Sequence, residues 1–307
     1  MNPVIQTYYL SKKYNDLLAV QNMSMTVEKG EIYGFIGLNG AGKTTAIRML
    51  LGMIRPTEGV SYIKGEKVHR KNHHLWKHVG YIVETPHSYP ELTVQENLNL
   101  YRRLRAVPNQ HAVSEVMTLL QLTRYSHVKA KHLSLGNAQR LGIAKALIHS
   151  PDILILDEPA NGLDPSGIVE VRELLQNLAF NRGVTILISS HLLSEVSKIA
   201  TKIGIIHDGQ IIQEMQSSDL HKQLLRKLIV NTRNNKRASS TLTEIGYESM
   251  LNDDGFIEIV DERAIQFPED ISRHLTFKSI PPTKLVIDEE NLETYFLRMI
   301  QEKGGHG

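Results

Sequence analysis

The run Gly37-Leu38-Asn39-Gly40-Ala41-Gly42-Lys43-Thr44-Thr45 constrains this chain more than any other stretch, because it has the spacing of a phosphate-binding loop. The apolar run Ile32-Tyr33-Gly34-Phe35-Ile36 before it predicts a strand, and Ala46-Ile47-Arg48-Met49-Leu50-Leu51 after it predicts a helix. Glycines in such a loop let backbone N–H groups curl around a polyphosphate, which larger side chains obstruct. The start of the following helix adds its dipole. Lys43 brings positive charge to the terminal phosphates, and the Thr44 hydroxyl suits a magnesium ion bridging them. A nucleotide with Mg2+ is the expected ligand. GTPases, nucleotide kinases, helicases and transport ATPases share such a loop, so the function has to come from the rest of the chain.

With 307 residues, the chain suits one domain of about two hundred residues and a smaller one. We place a nucleotide-binding domain at 1–220 and a linker with an accessory module at 221–307. Lys and Arg total 35 against 33 for Asp and Glu, so there is no strong field for nucleic acid, and no nucleic-acid partner is expected. The absence of cysteine excludes disulfides and thiolate metal sites and fits a reducing compartment such as the cytosol. Met1 to Leu10 lacks a basic start and a sustained apolar core, so no signal peptide is expected. No apolar run approaches the roughly twenty residues that cross a bilayer. A membrane role would therefore require docking on another polypeptide.

Val4 to Val27 predicts two strands around a loop from Ser11 to Asp16. Tyr14 in that loop is either an adenine-stacking ring or an ordinary half-buried one. Arg55-Pro56-Thr57-Glu58-Gly59 signals a turn, and Val60 to Gly65 a short edge strand. His69, His73, His74 and His78 surround Trp76 at spacings of no compact ligand set, so a solvated helical face is expected there rather than a metal site. From Thr93 to about Ala130 the apolar spacing turns helical, beginning an all-helical insertion of about 93–150 that suits a partner surface or a lid. Within it, Ser134-Leu135-Gly136 opens a helix through Leu147, and its small-residue start is either a second anion site or a simple N-cap.

Three expected strands end on chemically active side chains. His78 to Glu84 ends on Glu84, Ile153 to Glu158 on Asp157 and Glu158, and Val184 to His191 on His191. Strand ends in an open α/β sheet face the ligand. The fully apolar Ile153-Leu154-Ile155-Leu156 reads as a strand buried on both faces, as in a parallel sheet. Adjacent carboxylates at its tip are costly without a cation. Asp157 suits Mg2+ held through water, and Glu158 suits a base for an attacking water. Ala160 to Pro165 is a tight loop leading to a helix from Ser166 to Phe180, and Ile203 to Ile212 is a hairpin turning at Asp208-Gly209.

Beyond Leu220, the spacing of Leu224, Leu225 and Leu228 predicts a linking helix. The polar stretch Asn231 to Ser240 marks a boundary before a small α/β module, and Leu292, Tyr295, Phe296, Met299 and Ile300 fall on one face of a closing helix that Gly304 can stop. This tail carries no identifiable chemistry and suits an interaction or dimerisation role.

Taken together, the first two-thirds of the chain resembles the nucleotide-binding subunit of ATP-binding cassette (ABC) transporters. Gly37 to Thr45 matches the Walker A loop, Ile153 to Asp157 the Walker B strand, Glu158 the catalytic glutamate and Leu133 to Arg140 the signature motif. Gly162-Leu163-Asp164 matches the D-loop, His191 the switch histidine and Tyr14 the adenine-stacking aromatic. Glu84 stands where a glutamine is usual, and Leu135 and Asn137 replace a glycine and a glutamine. These departures, with the closing Asn291 to Leu297, resemble the bacitracin and lantibiotic-type exporter branch.

The resemblance implies an α/β P-loop fold with a mixed sheet core, an N-terminal antiparallel subdomain and a helical subdomain, and an ATPase whose hydrolysis drives transport. It implies a head-to-tail dimer in which Gly37, Asn39, Gly40, Ala41, Gly42, Lys43, Thr44, Thr45 and Tyr14 of one chain, with Ser134 and Gly136 of the other, enclose ATP. Mg2+ would be held by Thr44 and Asp157, with Glu84 touching its water. The implied partner is a separate permease at the cytoplasmic face of the membrane. The alternatives are a soluble cassette ATPase acting on DNA or ribosomes and an importer subunit.

Overall fold

The computed structural model describes residues 3–69 and 71–304, so Met1 and Asn2 of the opening decapeptide lie outside the described residues. The chain divides into two units: one runs to Asp219 and takes in the chain from Met299 onward, and the other is Leu220–Arg298.

The first unit opens with β1 (Pro3–Tyr14) and β2 (Leu17–Glu28), paired antiparallel around Asn15-Asp16. The expected loop over Ser11 to Asp16 is thus only two residues long, because Asn15 takes a left-handed φ of 49° and closes the turn early. Every second apolar residue of β2 toward its end, Met23, Met25 and Val27, is buried. Strand β3 (Ile32–Ile36) leads into the phosphate loop and helix α1 (Lys43–Leu50). Strands β4 (Glu58–Ile63) and β5 (Glu66–Lys67) complete a four-stranded sheet in the order β2-β1-β4-β5. The stretch expected as an edge strand is therefore internal, and the two-residue β5 supplies the edge.

Strand β6 (Val79–Ile82) is followed by the helices α2 (Val94–Leu104), α3 (Ala112–Leu119) and α4 (Leu135–Leu147). Thr93 and Glu96 form a reciprocal capping box that starts α2. Then come β7 (Ile153–Asp157), α5 (Pro165–Arg182), β8 (Thr185–Ser190), α6 (Leu193–Val196), β9 (Lys202–His207) and β10 (Gln210–Gln216). Helix α5 is capped by the Asp164 side chain, which accepts from Gly167 N.

These strands form a sheet in the order β10-β9-β3-β8-β7-β6, parallel except for β10. Residues 153–156 are fully buried, as a strand covered on both faces requires. Each such Ile or Leu contributes about 1.5–3 kcal/mol by leaving water. Because β3, β6, β7 and β8 are parallel, their C-terminal ends share one edge of the sheet, and that edge receives the phosphate loop, Glu84, Glu158 and His191.

The second unit begins with α7 (Leu220–Gln223) and β11 (Arg226–Thr232). No linking helix continues through Leu228. Leu228 and Val230 alternate inward from a strand, which overrides the helical spacing of the leucines. The stretch read as a boundary contains helix α8 (Asn235–Glu244), whose inward Ala238 and Leu242 join the core of this unit. Strands β12 (Ser249–Leu251) and β13 (Ile257–Ile259), helices α9 (Glu262–Gln266) and α10 (Pro268–Phe277), and β14 (Pro282–Glu289) follow. The sheet runs β12-β13-β11-β14 and is antiparallel throughout. The last helix, α11 (Leu292–Gly304), buries Tyr295, Phe296 and Met299, and residues 305–307 lie outside the described residues. Among the described residues, no helix is long and apolar enough to cross a membrane.

Candidate functional site

The phosphate loop is shaped by glycines that nothing else can replace. Gly42, at φ 103°, lies directly before α1, and a Cβ there would collide with the Ala19 carbonyl. A Cβ on Gly37 would meet the Ile206 carbonyl in the same way. Ala41 is buried beneath the loop, whereas Asn39, Gly40, Thr44 and Thr45 line an open cleft of about 450 Å3 with Tyr14, Lys43 and Glu158. A larger cleft of about 750 Å3 lies elsewhere, beside Glu115, Asp152 and Arg182. None of Gly37 to Thr45 lines that larger cleft.

Lys43 is buried, and its Nζ donates to Gly37 O at 2.7 Å and Leu38 O at 3.2 Å while lying 3.3 Å from Glu158 Oε1. The loop backbone and Glu158 thus hold the ammonium group at the place where terminal phosphates would arrive. Asp157, at the buried tip of β7, accepts from Thr44 Oγ1 at 2.8 Å and from Ser189 Oγ at 2.5 Å. Glu158 follows in a left-handed conformation, φ 49°, which turns its side chain out of the strand and into the cleft. Its N–H donates to both the carbonyl and the hydroxyl of Ser189. Its Oε2 is 2.9 Å from His191 Nδ1, and since a carboxylate only accepts, that nitrogen carries the proton.

Thr44 and Asp157 therefore come together as a pair of hard oxygen donors, the kind that suits Mg2+ beside phosphates. Glu84 does not join them. Strand β6 ends at Ile82, and Glu84, left-handed and exposed, accepts from Arg48 Nη2 at 2.6 Å instead. The expectation that Glu84 ends the strand is corrected accordingly. Close by, Lys145 bonds to His87 O and Ser88 Oγ, and burial pulls its ammonium down to a pKa of about 8.

Ser134 and Gly136 lie outside the cleft. Ser134 caps α4 by accepting from Asn137 N, and Gly136 sits beside Leu163 of the 162–164 loop. Tyr14 is 41% exposed at the cleft rim, with Lys12 Nζ 4.9 Å over its ring, a placement open to a stacked base. Reading the sequence missed three participants: Ser189, Arg48, and Gln139, whose Nε2 reaches Glu158 O at 3.4 Å. Only Ser189 carried a signal, as a hydroxyl inside an apolar strand two residues before His191.

Residues 20–161 match the ABC transporter family. The chain is 38% identical to the bacitracin transport ATP-binding protein BcrA of Bacillus licheniformis over 98% of both chains. It is 40% identical to that of Enterococcus faecalis over 100% of this chain and 98% of the relative. The chain belongs to the ABC transporter family. Among solved structures, this ABC protein superposes on the dimeric structure of a bacterial ABC transporter cassette with a TM-score of 0.64 and 25% identity, over 69% of this chain and 98% of that one. It is a P-loop ABC ATPase, and ATP is its substrate.

Proposed function

We propose that this ATPase powers export of a peptide antibiotic such as bacitracin through a separate membrane permease, docked on it at the cytoplasmic face. The observation that carries the catalytic part is the Lys43–Glu158–His191 chain beside the Thr44–Asp157 pair in one cleft. The cargo rests on the two bacitracin transport relatives.

In this reading Lys43 exchanges its carbonyl partners for the terminal phosphates when ATP binds, which releases Glu158 from the ion pair. Glu158 then accepts a proton from the attacking water, and His191 holds the carboxylate in position through Nδ1. Thr44 Oγ1 and Asp157 would hold Mg2+, which when bound draws charge from the phosphates. Tyr14 would stack on the adenine. Ser134 and Gly136 do not line this cleft, so a second copy, arranged head to tail, would bring them onto the ATP. The dimeric cassette among the solved structures supports pairing of two copies.

The test is bacitracin susceptibility of source cells expressing wild-type or Glu158→Gln protein at equal levels. Greater sensitivity of the variant is expected. Equal susceptibility would sink the bacitracin assignment and leave the ATPase in place.

A further inference from the structure

The sheet of the second unit has two edge strands, the three-residue β12 and the eight-residue β14, and β14 offers the longer edge. In the order β12-β13-β11-β14, strand β14 pairs with β11 on one side only. Along it, Val286 is 46% and Ile287 44% exposed. An apolar edge of this kind is a template for another strand unless a proline, a bulge or charge blocks it. Here the proline is the first residue, Pro282, and the irregularity in register lies at the same end, so the edge is regular from Lys284 to Glu289.

The direction of the backbone groups follows from one bond. Glu290 donates its N–H to Leu225 O on the β11 side, and the register continues with Asp288 opposite Lys227, Val286 opposite Ile229 and Lys284 opposite Asn231. By the two-residue period of a strand, these residues turn their backbone groups toward β11, whereas Leu285, Ile287 and Glu289 turn theirs to the free edge.

This edge is complementary to itself. Laid antiparallel on a second copy with Val286 facing Val286, it sets Leu285 opposite Ile287 and Lys284 opposite Asp288, each pair occurring twice by symmetry. Leu285 and Ile287, with free backbone groups, then exchange hydrogen bonds. Val286, Lys284 and Asp288 fall at the non-hydrogen-bonded positions, where facing side chains are closest. Moving the centre to Leu285 sets Lys284 against Val286, and moving it to Ile287 sets Asp288 against Val286, so the charges select the central register. Both charged side chains are accessible. Asp288 lies 3.9 Å from Lys227, whose closer partner is Glu258 at 2.7 Å, and Lys284 lies over the Phe256 ring.

We propose that β14 is a homodimerisation edge, which pairs with β14 of a second copy about a twofold axis at Val286 and needs no nucleotide. This pairing goes beyond the ATP-dependent contact of the cassettes and does not rest on it.

The chain contains no cysteine, so Val286→Cys places a single thiol at the axis. Facing residues at a non-hydrogen-bonded position have Cα atoms about 4.5 Å apart, within disulfide range. In the full chain, free of nucleotide and with EDTA present, mild oxidation by oxidised glutathione should convert Val286→Cys to a covalent dimer. Met250→Cys, 71% exposed on the opposite edge strand β12, should stay monomeric. By sedimentation of the cysteine-free chain, Lys284→Asp should weaken the dimer roughly tenfold or more, because like charges then face each other twice. Combining Lys284→Asp with Asp288→Lys should restore it. Cross-linking of Val286→Cys no faster than that of Met250→Cys overturns the proposal, and so does an unchanged equilibrium in Lys284→Asp. Since ATP is absent throughout, either failure leaves the nucleotide-driven dimer untouched.

Discussion

Replacing Ser189 with alanine removes a single buried hydroxyl that ties the Asp157 carboxylate to the backbone of Glu158. That oxygen donates to Asp157 Oδ1 at 2.5 Å and accepts from Glu158 N at 3.1 Å. The Glu158 N–H keeps the Ser189 carbonyl at 3.2 Å, so it is not orphaned, and most of the loss comes from the bond to the carboxylate. A hydrogen bond to a charged group contributes about 1.5–3 kcal/mol. In a unit of this size each kcal/mol lowers the melting temperature by about 2–4 °C, so Ser189→Ala should melt roughly 3–12 °C below wild type. Functionally, Asp157 loses the partner that orients it toward Thr44, and losing such a supporting bond typically weakens metal use about 10–100-fold. The assay is ATPase rate against Mg2+ concentration, well below both melting points, alongside thermal melting. Half-maximal rate should need at least about ten times more Mg2+ in Ser189→Ala, and Ser189→Thr, which keeps the hydroxyl, should recover most of the difference. A Ser189→Ala protein that melts within about 1 °C of wild type and has an unchanged Mg2+ requirement would refute the positioning role of Ser189.

Glu158→Gln should still bind ATP while its hydrolysis rate falls about 100-fold or more, as expected on losing a general base; near-normal turnover removes Glu158 from that role. Gly42→Ala combines a left-handed backbone with a collision against Ala19 O, so ATP binding measured by calorimetry should vanish, and retained affinity would contradict the loop geometry. Burial, with Arg105 adding to it, pushes the His149 pKa down to about 4 from its ordinary 6.5. The unfolded chain therefore takes up this proton first, so the stability contributed by neutral His149 is full above pH 6.5 and is lost as pH falls to about 4. Urea unfolding across that window should show a steeper acid loss in wild type than in His149→Gln, and parallel curves would contradict it.

Where a side chain's neighbours are close in sequence, the chain could be read directly. The phosphate loop, the buried run before Asp157 and the Asp208-Gly209 turn all depend on residues a few positions apart. The errors lie where distant contacts decide. Leu224, Leu225 and Leu228 have helical spacing, yet pairing with β13 and β14 turns Leu228 into a strand residue. Helix α8 looked like a linker because its outer face is polar and only Ala238, Thr241 and Leu242 are buried. Glu84 reads as the last residue of a strand, but β6 stops at Ile82, and Arg48 on α1, thirty-six residues away, holds the Glu84 side chain. Ser189 escaped notice because its partners, Asp157 and Glu158, come from the neighbouring strand and its end, more than thirty residues distant in sequence.

The composite site can be tested most directly by mixing two inactive variants. Lys43→Ala lacks the phosphate-binding ammonium but keeps Ser134, and Ser134→Arg blocks the α4 start but keeps Lys43. In a head-to-tail pair of one copy of each, Lys43 of one chain meets Ser134 of the other and one site is whole. ATPase activity that neither variant has alone should appear when the two are mixed and allowed to exchange partners. A mixture no more active than its components would contradict a site shared between two copies.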